Sequence, residues 1–357
     1  MKNRVVVAMS GGVDSSVAAA LLKEQGFEVI GLTMCFNLAD NRGKKPHCCS
    51  WQAIEDARSV AHCLGIRHYV VNMQKVLRED VIENFCREYL SGRTPNPCVR
   101  CNQYVKFNAL LKKALSLGVE YLATGHYARI IRGKETFLKK ARDLKKDQSY
   151  FLHRLSQYQL KHALFPLGDY TKDEVRALAR KFKLPVAEKP GSQEICFLPD
   201  MDYRRFLQHY CSGKLKIQPG PVVDTAGKKI GKHRGVAFYT IGQREGLGIA
   251  VGKPVYVVNI DTRNNRIMVG TREKALAREF IIKNARFISS FPKKKVALKV
   301  KIRYNHQEMP AEVMPQQAGK IKIRFKKPQF AITPGQSAVF YSGDKVLGGG
   351  IIYKISV

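Results

Sequence analysis

The stretch that most limits how this chain can fold is Met9-Ser10-Gly11-Gly12-Val13-Asp14-Ser15-Ser16. An apolar run, residues 5–9, precedes it and has the length of a buried strand. An alanine- and leucine-rich segment, residues 17–25, follows with helical character and stops at Gly26. A strand that passes through two glycines straight into a helix brings backbone close to any ligand above the turn. The unpaired N–H groups and positive dipole end of that helix then suit phosphate. Ser15 and Ser16 add hydroxyls, and Asp14 is placed to help hold a magnesium ion. No Gly-Lys-Ser/Thr follows, so this is not a Walker loop, and the GxGxxG of a dinucleotide fold is also absent. The plain alternative is a strand-to-helix turn capped by serine.

Downstream, residues 28–34 read as a second strand, 51–64 as a helix, 68–72 as a strand and 74–90 as a helix. Residues 105–117 read as another helix and 119–124 as another strand, followed by Gly125-His126. Strands alternating with helices predict a parallel sheet with helices on both faces, with ligands at the carboxyl ends of the strands. Residues 129–140 read as a hairpin turning at 132–135, and 146–151 open a short helix. Thr171-Lys172-Asp173-Glu174 is a capping box, so its acidic pair reads as capping rather than catalytic. Residues 202–211 read as a helix. From Gly220 the character changes to short β segments, 222–224, 228–231, 235–240, 255–261 and 266–270, separated by glycine turns.

The last part alternates with period two. Val296, Leu298, Val300 and Ile302 share one face, and Lys299, Lys301 and Arg303 the other. Ile321, Ile323 and Phe325 alternate in the same way with Lys320, Lys322 and Arg324. This pattern predicts antiparallel strands with one buried face, closing into a small barrel. Residues 291–327 hold eleven Lys or Arg against two Glu, and the whole chain carries 62 Lys plus Arg against 29 Asp plus Glu, a net charge of +33. That one-sided excess points to a polyanionic partner, nucleic acid first, rather than to an ordinary solvated sheet face. No basic amphipathic helix favours a membrane surface, and no apolar run reaches the ~18 residues of a membrane span. The 357 residues suffice for two or three domains.

Nine cysteines occur, an odd number in a long chain that opens directly into a strand without a signal peptide. This predicts reduced thiols in the cytoplasm. Cys48-Cys49 lies in a long polar stretch and reads as ordinary loop thiols. Gly92-Arg93-Thr94-Pro95-Asn96-Pro97-Cys98-Val99-Arg100-Cys101-Asn102 reads as extended and stiff because of its two prolines. Its Cys-x-x-Cys fits a metal or cluster half-site, a redox pair, or one nucleophile with a bystander. No second such pair completes a structural zinc site. Cys196 alone reads as a small buried residue.

SGGVDSS resembles the pyrophosphate loop of the N-type ATP pyrophosphatases. That loop, NPCVRCN, TGHYARI, KDQSYFL, SQEICF, YTIGQREGLG and a late PGQ occur here in one order. Together they resemble the bacterial tRNA-specific 2-thiouridylases across nearly the whole chain. The resemblance implies an adenylating α/β domain over 1–200, a small tRNA-contacting central domain over 201–275 and a tRNA-binding β-barrel over 276–357. It implies conversion of the wobble uridine, position 34, of the tRNAs for Lys, Glu and Gln to 2-thiouridine, with ATP and Mg2+. The sulfur comes from a cysteine desulfurase or relay protein, and the enzyme is expected as a cytoplasmic monomer. The ATP site falls on Ala8, Met9, Ser10, Gly11, Gly12, Val13, Asp14, Ser15, Met34 and Gly125. The tRNA contacts fall on His126, Lys146, Asp147, Gln148, Arg303, Tyr304 and Gln336. Cys196 matches the persulfide carrier and Cys101 its partner nucleophile. Well-known members carry Asp where this chain has Cys98, so the role of that Asp at the target base is not transferred. Cys98, Cys101 and Cys196 also make a three-thiolate set able to hold a [4Fe–4S] cluster, and cluster and persulfide mechanisms both stand. A small-molecule ligase with the same loop, or a non-catalytic RNA-binding protein, explains part of the pattern. Neither explains both the cysteines and the basic strands.

Overall fold

The computed structural model describes residues 3–36, 51–191, 195–198, 202–210, 217–249, 251–290 and 292–356. Cys48 and Cys49 lie outside these residues. The chain divides into two compact units. The first holds Met1–Val81, Pro97–Asp202 and Gly343–Leu347, and the second Ile82–Asn96, Tyr203–Ser342 and Gly348–Val357.

In the first unit, β1 (Arg4–Ala8) leads through the glycine turn into α1 (Val13–Glu24) and β2 (Glu28–Cys35). α2 (Trp51–Cys63) and β3 (Arg67–Asn72) follow, then β4 (Tyr121–Ala123), the hairpin β5 (Ala128–Ile131) and β6 (Phe137–Lys140), and β7 (Ala163–Leu164). The sheet is parallel with order β3-β2-β1-β4-β7. Val5, Val6 and Val7 of β1 are fully buried, each removed from water for about 1.5–3 kcal/mol. The uninterrupted valine run suits a central strand covered on both sides. Val6 pairs with Ile30 on one side and Leu122 on the other. Strand order therefore reverses between β1 and β4, and the crevice at such a switch point is where α/β sheets bind ligands.

Of two helical stretches, the first forms where the sequence pattern places it, with a π-helical turn inside it, and the second starts earlier than expected. Residues 74–90 are helical, with α-turns at Gln74–Leu77 and Glu83–Leu90 flanking a π-helical turn at Arg78–Ile82. The segment expected to be extended before residue 105 begins a helix at Pro97. Pro97–Arg100 is α-helical, Cys101–Leu110 is π-helical and Leu111–Leu115 is α-helical again. Proline at a first helical position loses no hydrogen bond, and its ring presets the helical φ. Pro97 thus starts the helix that Cys98 and Cys101 occupy.

In the second unit, β8 (Gly220–Val223), β9 (Lys229–His233), β10 (Tyr256–Asp261) and β11 (Arg266–Gly270) form a small sheet of order β10-β11-β8-β9. Residues 235–240, expected as a strand, instead carry the short 3-10 helix Val236–Phe238. Gly235 at φ 144 turns the chain out of the extended path just before it. A closed antiparallel barrel follows from β12 (Leu276–Phe287), β13 (Val296–Lys301), β14 (Met309–Pro315), β15 (Ile321–Phe330), β16 (Ser337–Ser342) and β17 (Lys345–Ser356). Its order is β12-β15-β14-β13-β16-β17, closed by β12 against β17. The alternation holds: Val300, Ile302, Ile321, Ile323 and Phe325 are buried, and Lys299, Lys320 and Arg324 are exposed. Arg303 departs from that outward face, because its guanidinium donates to the carbonyls of Phe330 and Ala331. No helix among the described residues is long and apolar enough to cross a membrane.

The capping box closes as expected on the helix Lys172–Lys181. The Thr171 hydroxyl accepts from Glu174 N at 3.3 Å, and the Glu174 carboxylate accepts from Thr171 N at 2.7 Å. Thr171→Ala is expected to lower stability by about 1 kcal/mol, whereas Thr171→Ser retains it. Equilibrium urea unfolding at constant m-value checks both, and an unchanged midpoint in the alanine variant would show the cap to be redundant.

Candidate active site

The turn after β1 is built from local hydrogen bonds. The Ser15 hydroxyl accepts from Ser10 N at 3.1 Å and donates to Gly12 O at 3.2 Å, and the Ser16 hydroxyl donates to the same carbonyl at 2.9 Å. Ser16 is fully buried, so its hydroxyl is spent inside the loop and not offered to a ligand. Gly12 is the N-cap of α1 and makes no side-chain cap bond, which leaves the first-turn N–H groups for an anion. Gly11 has φ +70, and a Cβ there would collide with the Ala53 carbonyl of α2. Gly125, just after β4, abuts the loop from the other side. A Cβ on it would lie 2.7 Å from Ser15 N and 2.8 Å from Asp14 C.

Two lysines that pattern reasoning passed over meet this loop. Lys172 Nζ lies 2.6 Å from Asp14 Oδ1, which also accepts from the Tyr127 hydroxyl at 2.8 Å. Lys189 Nζ donates to Gly11 O at 3.2 Å and pairs with the Asp56 carboxylate. Their only local signals are the first position of a capped helix and a place before Pro190. Asp14 Oδ1 is thus shared by an ammonium and a phenol.

A cavity of about 370 Å³ opens beside the loop. Ala8, Met9, Ser10, Asp14 and Ser15 border it from the loop, Met34 from β2 and Gly125 and His126 from the end of β4. Gly11, Gly12 and Val13 belong to the loop but do not border it. Cys98, Cys101 and Cys196 all border the same cavity, so the fold brings together thiols almost a hundred residues apart in the chain. Their environments differ. Burial pushes the Cys98 thiol up to about 11, with Cys101 adding to the rise and Lys106 opposing it. Burial also raises Cys101, against the same lysine. Cys196 is exposed. Among the described residues no three His, Cys, Asp or Glu side chains converge closely enough to hold one metal ion. A [4Fe–4S] cluster takes each thiolate on a different iron, and Cys98, Cys101 and Cys196 border one cavity.

The residues expected to touch tRNA divide in kind. His126 and Gln148 border the cavity. His126 Nδ1 lies 2.6 Å from the Thr124 hydroxyl, and burial first, then Lys106, holds the imidazole well below its usual range, so it is neutral. Gln148 Oε1 accepts from Tyr127 N at 3.0 Å. Asp147 is buried and serves its own turn, accepting from Ala141 N at 3.0 Å and from the Ser149 hydroxyl at 2.8 Å. Lys146 does not border the cavity. Arg303, Tyr304 and Gln336 belong to the second unit, where Gln336 donates to the Thr94 and Pro95 carbonyls and Lys301 Nζ stands 5.4 Å from the Tyr304 ring centroid.

Residues 3–200 match a family model described as the tRNA methyl transferase HUP domain, 204–271 the tRNA methyl transferase PRC-barrel domain, and 277–352 the aminomethyltransferase beta-barrel domain. Among curated relatives, the tRNA-specific 2-thiouridylase MnmA 1 of Caldanaerobacter subterraneus subsp. tengcongensis is 53% identical over 362 residues, covering 99% of each chain. The tRNA-specific 2-thiouridylase MnmA of Halothermothrix orenii is 52% identical over 359 residues, covering 98% of this chain and 99% of its own. The protein of that name from Acetivibrio thermocellus is 50% identical over 358 residues, with the same coverage.

Two outcomes follow from this geometry. Gly125→Ala is expected to displace the Asp14–Ser15 backbone and weaken ATP binding by at least about tenfold, or about 1.4 kcal/mol, as read by calorimetric titration; unchanged affinity would mean that the loop yields freely. Only the thiolate is alkylated, and burial delays its appearance. At pH 8 iodoacetamide should therefore label Cys196 well ahead of Cys98, whose rate should climb about tenfold per pH unit toward 11. Peptide mapping that found Cys98 labelled as fast as Cys196 at pH 8 would contradict the burial argument.

Proposed function

The chain belongs to the tRNA-specific 2-thiouridylase family, and on that premise we propose that it carries out ATP-dependent 2-thiolation of the wobble uridine of the tRNAs for Lys, Glu and Gln. The observation that carries the reading is the shared cavity, which the phosphate loop borders together with Cys101 and Cys196. A uracil carbonyl oxygen is a poor leaving group. In the first step O2 attacks the α-phosphorus of MgATP, N3 gives up its proton, and pyrophosphate leaves toward the loop and the Lys172 and Lys189 ammonium groups. C2 then carries AMP, a good leaving group. The target base must be out of the anticodon stack to reach the cavity.

In the second step the terminal sulfur of a persulfide on Cys196 attacks C2 and AMP departs with the C–O bond electrons. The Cys101 thiolate then attacks the Cys196 sulfur, releasing 2-thiouridine and leaving a Cys101–Cys196 disulfide for an external thiol to reduce. Exposure of Cys196 suits loading by a sulfur-bearing partner protein, a desulfurase or relay. Burial of Cys101 keeps it protonated until substrate is in place. Cys98 has no step in this scheme. In the second unit, the exposed Lys299 and its basic neighbours on the barrel suit contact with RNA phosphate.

Cys101→Ser and Cys196→Ser are each expected to abolish 2-thiouridine formation while still releasing pyrophosphate with tRNA and MgATP. Cys98→Asp is expected to retain thiolation in air without iron. Nucleoside mass spectrometry and a pyrophosphate assay check these together. Full thiolation by Cys196→Ser, or loss of activity and iron together in Cys98→Asp, would overturn the scheme.

A further inference from the structure

One charged side chain on the cavity wall has no part in the scheme above. Lys106 borders the cavity with Cys98, Cys101, Asn102 and His126, and it is the one Lys or Arg among the described residues that do so. It is half-buried, and among the described residues no carboxylate is paired with it. Its charge bears on Cys98, Cys101 and His126 alike, which places it at the thiol end of the cavity. At the phosphate loop, the cations are Lys172 and Lys189.

The winding of the helix explains how Lys106 reaches this wall. In an α-helix, a residue five positions on lies about 140° around the axis, so Lys106 would face away from Cys101. Residues Cys101–Leu110 are π-helical, and the wider winding of an i→i+5 ladder brings residues five apart onto the same face, roughly 50° around the axis from one another. Cys101 and Lys106 therefore share a face, and Cys101, Asn102 and Lys106 all border the cavity from this one element. Pi-helical turns are rare and recur at functional sites.

The charge that needs such a group arises on the ring itself. When a sulfur anion adds to adenylated C2, the C–S bond forms and the C2=N3 electron pair moves onto N3, delocalised toward O4. As that pair returns, C2=N3 re-forms, the C2–O bond breaks and AMP leaves with its electrons. No proton need move. A fixed cation beside the ring, in a site with little water, lowers the energy of that intermediate without reorganising. We infer that Lys106 stabilises the negative charge developing on the uracil ring during sulfur attack, and is a catalytic residue of the second step only. This rests on the two-step scheme above.

The test uses the full chain with MgATP, tRNA transcript bearing U34, and sulfur supplied by a cysteine desulfurase with cysteine. Pyrophosphate release reads the first step, and single-turnover 2-thiouridine formation reads the second. In Lys106→Met the second is expected to fall about 100-fold, with the pyrophosphate burst intact and adenylated tRNA accumulating. Lys106→Arg is expected to recover most of the loss, which a merely structural role would not predict. Lys106→Gln carries the same readouts if the methionine variant fails to fold. Thiolation by either neutral variant within about threefold of the wild type would overturn the inference, and so would equal loss of both steps. Failure of the underlying scheme is visible separately, as a wild-type enzyme that releases no pyrophosphate with tRNA.

Discussion

The site depends on close backbone approach around the phosphate loop. Gly11 lies against the Ala53 carbonyl of α2, and Gly125 lies against the Ser15 amide. A side chain at either position would occupy space that backbone already fills, and backbone cannot swing aside as a flexible side chain can. These two contacts hold the loop between α2 and the end of β4. The switch point of the sheet between β1 and β4 becomes a shaped cavity for this reason. The hydroxyl of Ser15, tied to Ser10 N and Gly12 O, fixes the loop before any ligand arrives. Preorganisation of this kind lowers the ordering cost of binding phosphate.

Charge around the loop is arranged in pairs. Lys172 is matched by Asp14 and Lys189 by Asp56, so two ammonium groups can stand beside a positive helix end without repelling one another. An arriving pyrophosphate offers them a stronger partner than the carboxylates. Bidding two half-buried lysines away from aspartates makes anion binding an exchange of ion pairs, which limits the desolvation that a lone buried cation would suffer.

Much of this was legible in the sequence, and the reason differs by feature. The phosphate loop, the capping box and the barrel alternation are local, because each is written within a few residues and set by sterics, hydrogen bonding or period-two burial. The features missed are those decided elsewhere in the chain. Lys172 and Lys189 gain their meaning from Asp14 and Asp56, partners 158 and 133 residues away. Pro97 was read as stiffening an extended segment, but the same fixed φ starts a helix once Arg100 can donate to the Asp80 carbonyl and Asn102 to the Phe151 carbonyl. Asp147 and Arg303, which the resemblance places against tRNA, also hold backbone groups, a structural role that nothing in their local sequence indicates. Nothing in the residues 101–110 announces π-winding, along which Val105, Phe107 and Leu110 are fully buried.

The overall charge and the cavity serve different ends. The chain as a whole is strongly cationic, which raises the encounter rate with a polyanion and makes its binding sensitive to salt. Inside the cavity, the resting state is nearly free of unpaired anions. His126 is neutral, burial keeps Cys98 and Cys101 as thiols, and Asp14 is already paired. A nucleotide and an RNA segment, both negatively charged, can therefore share one small volume without meeting a protein anion. Had the thiols been ionised at rest, each would repel the phosphates and be open to oxidation before substrate arrived. Burial avoids both problems at the cost of nucleophilicity, since it favours the thiol over the thiolate.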